Sequence, residues 1–209
     1  MFKLYRPLTK GEFFVVFGDT AQGGIDSNYI QFLSKTKADF PLVMKSRGVV
    51  AEITPFLIQA LEYIYDQTGV PPCIALERQN GGQSAMHDLM VGNRQGKYTI
   101  YLSKTQGSYD GQEDTDKLGW DTTSVSRPKM LGEWLVAFNT KQFKIYDKDT
   151  IDQHKTFIVA KNGKPQAASN AHDDAVMSCA GAYQLYQTEN PAIKASTNRP
   201  KPKRLKFHV

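Results

Sequence analysis

The chain has 209 residues, a mass of 23.4 kDa and 40% hydrophobic residues, which is enough apolar material to bury a substantial core. This composition excludes a fibrous or wholly disordered chain, and no stretch approaches the ~20 consecutive apolar residues of a membrane span, so we expect a soluble, intracellular protein. The net charge of +5 is located at the C-terminus, because six basic and no acidic residues follow Pro191 and leave 20 basic against 21 acidic residues in the rest of the chain.

The first half of the chain predicts a mixed sheet. The continuous apolar run FFVVF at residues 13–17 is typical of a central strand that is buried on both faces, and it ends in Gly18 and Asp19. The predicted elements that follow are strands at 29–33 and 41–45, a helix from Thr54 to Gly69, a strand at 73–77 (CIALE), a helix around 86–90 and a strand at 98–102. This order predicts a ribonuclease H-like α/β fold, in which a three-stranded antiparallel meander is extended by parallel strands and flanked by helices.

The second half adds a polar loop, two helices and a hairpin. Residues 107–126 are rich in Gly, Asp and Thr, and their length predicts a functional loop. Asn162 and Gly163 predict an additional β-hairpin, because a type I′ turn requires positive φ at both central residues. The predicted elements are a helix over 128–138, a strand at 143–146, hairpin strands at 156–160 and 166–169, and a helix over 173–186. We expect one domain over residues 1–190 and a basic, disordered tail over residues 191–209.

Acidic residues stand at the ends of three predicted apolar elements. Asp19 ends the first central strand, Glu77 ends the fourth, and Asp173 with Asp174 begins the last helix. Each of these acids alone is explained as a loop residue or a helix cap. In the predicted sheet, however, the first and fourth strands are parallel neighbours, so their acids share one edge. Carboxylates that converge there repel one another and require a counter-charge, and oxygen ligands favour Mg²⁺ or Mn²⁺ over zinc.

Three motifs together resemble a known family. They are GDTAQGGIDSNY at 18–29, the strand closed by Glu77 and followed by RQNGG, and AHDDAVMSCAGAY at 171–183. This combination resembles the nuclease domain of the large terminase subunit of tailed bacteriophages, a member of the ribonuclease H/RuvC-like superfamily. The resemblance covers nearly all of residues 10–187.

The resemblance implies a metal-dependent endonuclease that cuts double-stranded DNA with little sequence specificity during viral genome packaging. Two divalent metal ions, Mg²⁺ or Mn²⁺, would be held by Asp19, Glu77 and Asp174 as the catalytic ligands. Asp26, His172 and Asp173 match further positions of the family motifs and are expected to be auxiliary ligands.

Four basic residues are candidates for contact with DNA phosphates. Arg127 and Lys129 begin the helix after the polar loop, and Lys161 and Lys164 belong to the predicted hairpin. An ordinary solvated surface explains these positions equally well.

The resemblance also implies partners. In the family that the chain resembles, the large subunit also carries a packaging ATPase domain. This chain has no G-x-x-x-x-G-K-[ST] phosphate loop, so we expect the packaging ATPase domain to be a partner that is absent from this chain. The viral portal and the small terminase subunit are further expected partners, a membrane is not, and the expected location is the cytoplasm of an infected bacterial host. The sequence leaves three alternatives open: a RuvC-type Holliday-junction resolvase, a non-catalytic nucleic-acid-binding module, and a fragment of an actin-like phosphotransferase.

Overall fold

A central sheet lies between two helical layers in the computed structural model, which describes residues 2–23, 27–105, 115–160, 163 and 165–191. The helices are α1 (Val50–Thr68), α2 (Gly82–Gly92), α3 (Ser126–Asn139), α4 (Lys148–Lys155) and α5 (Asp174–Thr188). The strands are β1 (Phe2–Leu4), β2 (Phe14–Asp19), β3 (Asn28–Ser34), β4 (Asp39–Ser46), β5 (Cys73–Leu76), β6 (Thr99–Ile100), β7 (Leu102–Thr105), β8 (Thr115–Leu118), β9 (Lys144–Ile145), β10 (Phe157–Val159) and β11 (Pro165–Ala167). None of the described helices is long and apolar enough to cross a membrane.

The topology of the sheet confirms the predicted ribonuclease H-like fold. Strands β2, β3 and β4 form an antiparallel meander, β5 lies parallel to β2, and β6 lies parallel to β5. The strand order is β1-β4-β3-β2-β5-β6, with β9 beside β4. The parallel pairing of β2 with β5 brings the carboxyl ends of both strands to one edge of the sheet.

The apolar run at residues 13–17 is buried on both faces of the sheet, as its composition predicts. Phe14 and Val16 pack into a core formed with α1 and α2, while Val15 and Phe17 pack into a second core formed with α3 and α5. All four side chains are fully buried. Strand β2 therefore packs against both helical layers.

Helix α5 lies unusually close to β2 and β3. A Cβ atom built on Gly181 would lie 2.4 Å from atoms of the Phe17 ring, so only glycine allows this distance between helix and sheet. One turn earlier, the Ser178 hydroxyl donates a hydrogen bond to the Phe17 carbonyl (2.7 Å) and accepts one from the Gln31 amide (3.2 Å). These contacts fix the position of α5 along the two strands.

Strand β1 and helix α4 were not predicted, and both contact one buried carboxylate, that of Asp147, which Lys3 of β1 approaches to 3.2 Å. Asp147 caps α4 by accepting a hydrogen bond from the Thr150 amide, and it also accepts hydrogen bonds from the hydroxyl groups of Tyr5 and Tyr29. Burial opposes ionisation, but these hydrogen bonds hold the pKa of Asp147 well below its ordinary value. The polar sequence KDTIDQHK lacks the apolar periodicity by which a helix is predicted, because α4 buries only Thr150 and His154.

Several predicted boundaries were wrong. Helix α1 begins at Val50 rather than Thr54, so Pro55 lies inside the helix. The predicted polar loop over 107–126 contains β8, which pairs with β7; residues 106–114 lie outside the described residues. The strands predicted at 98–102 and 143–146 are reduced to the two-residue strands β6 and β9. The length of a strand depends on where its partner strand ends, and the pattern of polar and apolar residues along one strand does not show this.

The predicted hairpin is present. Strands β10 and β11 pair in antiparallel register, and Gly163 has the positive φ that the predicted turn requires. Lys161, Asn162 and Lys164 lie outside the described residues.

The close approach of α5 predicts opposite effects for the same substitution in two helices. Gly181→Ala should lower the free energy of unfolding by about 1–3 kcal/mol, because the new methyl group collides with the buried Phe17 ring. Gly132→Ala in α3 should raise it by up to about 1 kcal/mol, because a Cβ there meets no atom within 4 Å and alanine favours the helix. Chemical denaturation measures both values, and equal effects at the two positions would contradict the packing described here.

Candidate functional site

The structure places Asp19 and Glu77 side by side at one edge of the sheet. Asp19 is the last residue of β2, and Glu77 directly follows β5. The Glu77 amide donates a hydrogen bond to the Gly18 carbonyl (2.9 Å), which continues the parallel pairing up to these two acids. The predicted proximity of the two carboxylates is therefore present in the structure.

The RQNGG motif shapes the turn that follows Glu77. A Cβ on Gly82 would lie 1.7 Å from the Glu77 carbonyl oxygen, so the start of α2 can approach the end of β5 only with glycine at this position. Asn80 and Gly81 both have positive φ values, 52° and 87°. The Thr20 hydroxyl donates a hydrogen bond to the Gln79 carbonyl (2.9 Å) and ties the loop after Asp19 to this turn.

Helix α5 brings Asp173 and Asp174 to the same edge. The Asp174 carboxylate accepts a hydrogen bond from the Ser27 amide (3.3 Å), which connects the start of α5 to the segment before β3. The Asp173 side chain makes no capping hydrogen bond, although capping is the ordinary role of an acid at a helix start. The Gln153 side chain of α4 instead accepts a hydrogen bond from the Ala175 amide (2.7 Å).

The electrostatics of Asp19 show that the acids interact. Its pKa is raised well above the ordinary value, firstly by burial and then by the charge of Glu77 and a hydrogen bond to it, with smaller contributions from Asp174 and Asp173. Asp19 keeps some contact with solvent, but the surrounding protein removes most of its hydration. The ionised form of Asp19 is therefore disfavoured until a positive charge enters the site.

The donor set fits hard divalent cations once the proton of Asp19 is released. Within the described ranges, no three His, Cys, Asp or Glu side chains form a ready-made metal site. The carboxylate oxygens of Asp19, Glu77 and Asp174 are the donor type that Mg²⁺ and Mn²⁺ prefer. Asp26 lies outside the described residues, and His172 is exposed just before α5, so their role as ligands stays a prediction.

The two basic residues predicted on α3 differ in their surroundings. Arg127 forms an ion pair with Asp173 (3.1 Å) and donates a hydrogen bond to the Pro165 carbonyl of β11 (3.3 Å). Lys129 is largely exposed and lies 3.9 Å from Glu133, one helical turn further on. Contact of either residue with DNA stays a prediction.

Three supporting residues were missed by the sequence analysis. Thr20 and Gln153 hold the segments on which Asp19 and Asp174 stand. Arg78 pairs with both carboxylate oxygens of Asp121 (3.0 Å each) and so holds the segment after β8 beside Glu77. Their partners are remote in the sequence, so no local pattern marks them.

No family model matches the chain, and no curated protein matches it. Solved structures of large terminase nuclease domains do match. The magnesium-bound nuclease of the thermophilic phage G20c gives a TM-score of 0.59 at 18% identity, over 87% of this chain and 84% of that chain. The domain of Thermus phage P74-26 gives 0.57 at 17% identity, over 90% and 85%. The manganese-soaked human cytomegalovirus terminase nuclease domain gives 0.56 at 14% identity, over 84% and 83%. At these identities the likeness establishes a shared fold.

The raised pKa of Asp19 predicts a pH-dependent gain in stability on its replacement. A carboxyl group with a raised folded-state pKa stabilises the fold fully below its unfolded value of 3.8, and this contribution is lost as the pH rises through the folded value. In EDTA at pH 8, Asp19→Asn should therefore raise the free energy of unfolding by ~1 kcal/mol or more, and the gain should shrink toward pH 4.

Chemical denaturation at the two pH values measures this gain. Asp66→Asn is the matched control, because its carboxylate is exposed and paired with Lys97 at the surface. A gain that is equal at both pH values, or a loss of stability at pH 8, would contradict the electrostatic description of Asp19.

Proposed function

We propose that this chain is a metal-dependent endonuclease domain that hydrolyses double-stranded DNA with little sequence preference during viral genome packaging. The observation that carries the proposal is the carboxylate edge, where Asp19 carries a raised pKa beside Glu77, Asp173 and Asp174. The fold shared with terminase nuclease domains supports the same reading.

Two divalent cations, Mg²⁺ or Mn²⁺, would occupy this edge. Asp19 is the proposed central ligand, with Glu77 and Asp174 completing the two sides. Asp26, Asp173 and His172 are the proposed auxiliary ligands. When bound, such cations lower the pKa of a water molecule and stabilise charge on the leaving oxygen.

The residues of the chain hold the ligands in place before cations and DNA bind. The Thr20 hydroxyl and the Ser27 amide fix the loop that leaves β2, on either side of the undescribed residues 24–26. The Gln153 side chain fixes the first turn of α5. Asp19 gives up its proton when it serves as a ligand, so cation binding is expected to be weaker at low pH. Ligands that are positioned in advance reduce the ordering that cation and substrate must impose.

Four basic residues are proposed to hold the DNA backbone. Lys129 on α3 and Lys161 and Lys164 of the hairpin are the candidates, with Arg127 beside them. The basic residues 191–209 are proposed to be a separate tail that holds DNA or docks a partner. Phosphate contacts carry no base information, which agrees with cutting that tolerates any sequence.

The wider assembly follows from the same proposal. Residues 1–190 would be the nuclease domain that works with a packaging ATPase domain, the viral portal and the small terminase subunit. The proposed site of action is the cytoplasm of an infected bacterial host.

Incubation with supercoiled plasmid tests the proposed function. The wild-type chain should nick and linearise plasmid in Mn²⁺ or Mg²⁺ and leave it intact in EDTA, as followed by gel electrophoresis. Asp19→Asn, Glu77→Gln and Asp174→Asn should each reduce cutting by ~100-fold or more, because each removes a charged ligand. Asp26→Asn should keep partial activity.

Asp66→Asn makes the same chemical change at the surface and should cut at the wild-type rate. Plasmid that stays intact in both metals, or cutting that EDTA does not stop, would contradict the proposal. Preference for a four-way junction over linear duplex would instead favour a resolvase.

A further inference from the structure

Arg127 connects three elements beside the carboxylate edge. It stands in the first turn of α3, and one nitrogen of its guanidinium group lies 3.1 Å from a carboxylate oxygen of Asp173, at the start of α5. Another nitrogen donates a hydrogen bond to the Pro165 carbonyl of β11. Its side chain is 36% exposed and that of Asp173 is 28% exposed, so the pair is partly shielded from water.

The position of Arg127 is not explained by α3 itself. The first turn of α3 contains no acidic residue, and a positive charge at a helix N-terminus opposes the helix dipole. Lys129 stands in the same region, but its ammonium group lies near Glu133 of the same helix and is 73% exposed. The contacts that favour Arg127 at this position lie on other elements, at Asp173 and Pro165.

Asp173 is the group that Arg127 controls. Its carboxylate does not cap α5, and its charge is among those that disfavour ionisation of Asp19. The ion pair with Arg127 therefore compensates this charge.

We propose that Arg127 is a positioning residue that competes with a divalent cation for the Asp173 carboxylate. This inference rests on the proposed function, because it requires a cation at the edge formed by Asp19, Glu77 and Asp174. A guanidinium group and a cation that share one carboxylate repel each other, so each weakens the binding of the other. Cation binding then loosens the contact of Arg127 with Asp173.

Binding of Mn²⁺ alone to the full chain tests the inference without DNA and without activity. Electron paramagnetic resonance of free Mn²⁺ gives the affinity. Arg127→Gln should bind Mn²⁺ roughly tenfold more tightly, because a positive charge near the cation is removed. Arg127→Lys keeps the charge and should stay within about threefold of the wild type.

Lys129→Gln is the matched control, since it removes the same charge from the same helix without touching Asp173. Its affinity should change by less than about twofold, because an exposed charge is screened by solvent. General damage to the fold lowers metal affinity, so an increase at Arg127→Gln alone identifies competition.

Two results would overturn the inference. If Arg127→Gln binds Mn²⁺ no more tightly than the wild type, or no more tightly than Lys129→Gln, Arg127 does not compete with the cation. The proposed function stands in that case if the wild type binds Mn²⁺ and cuts plasmid, because it does not require competition by Arg127. If the wild type neither binds Mn²⁺ nor cuts plasmid, the proposed function and the inference fail together.

Discussion

The close contact of α5 with strands β2 and β3 is the constraint on which the candidate site depends. Gly181 removes the side chain that would keep the helix away from Phe17, and Ser178 bonds to the backbones of both strands. Because the core is densely packed, one added methyl group at this contact would shift the helix and so move its first residue, Asp174. The position of Asp174 relative to Asp19 is therefore set one to two turns away from the carboxylates, by packing rather than by contacts between the acids.

The carboxylate edge is held together against its own repulsion, and three of its four acids are compensated differently. Asp19 favours its protonated form beside Glu77, Asp173 pairs with Arg127, and Asp174 accepts a backbone hydrogen bond from Ser27. Converging carboxylates of this kind oppose folding, and a divalent cation is the counter-charge that would relieve the repulsion between Asp19 and Glu77 in the proposed function. The repulsion between the acids lowers the free energy of unfolding, and the packing of the rest of the fold holds the edge in place.

Sequence patterns predicted the features that depend on neighbouring residues. The apolar run before Asp19 indicated a strand buried on both faces, and the order of elements indicated the sheet that brings Asp19 and Glu77 together. Features that depend on remote partners were not predicted: α4 is held by the buried Asp147, and Gln153 caps a helix 22 residues away. The ion pair of Arg127 with Asp173 belongs to this second group, because only the folded chain places α3 beside α5.

Anomalous diffraction from crystals of the chain soaked in Mn²⁺ tests the central claim most directly, because it locates the cations without reference to activity. We expect anomalous peaks bounded by Asp19, Glu77 and Asp174, and the loss of these peaks in crystals of Asp19→Asn. Peaks at other positions only, or no peak at saturating Mn²⁺, would contradict the claim that this edge of the sheet is a divalent-cation site.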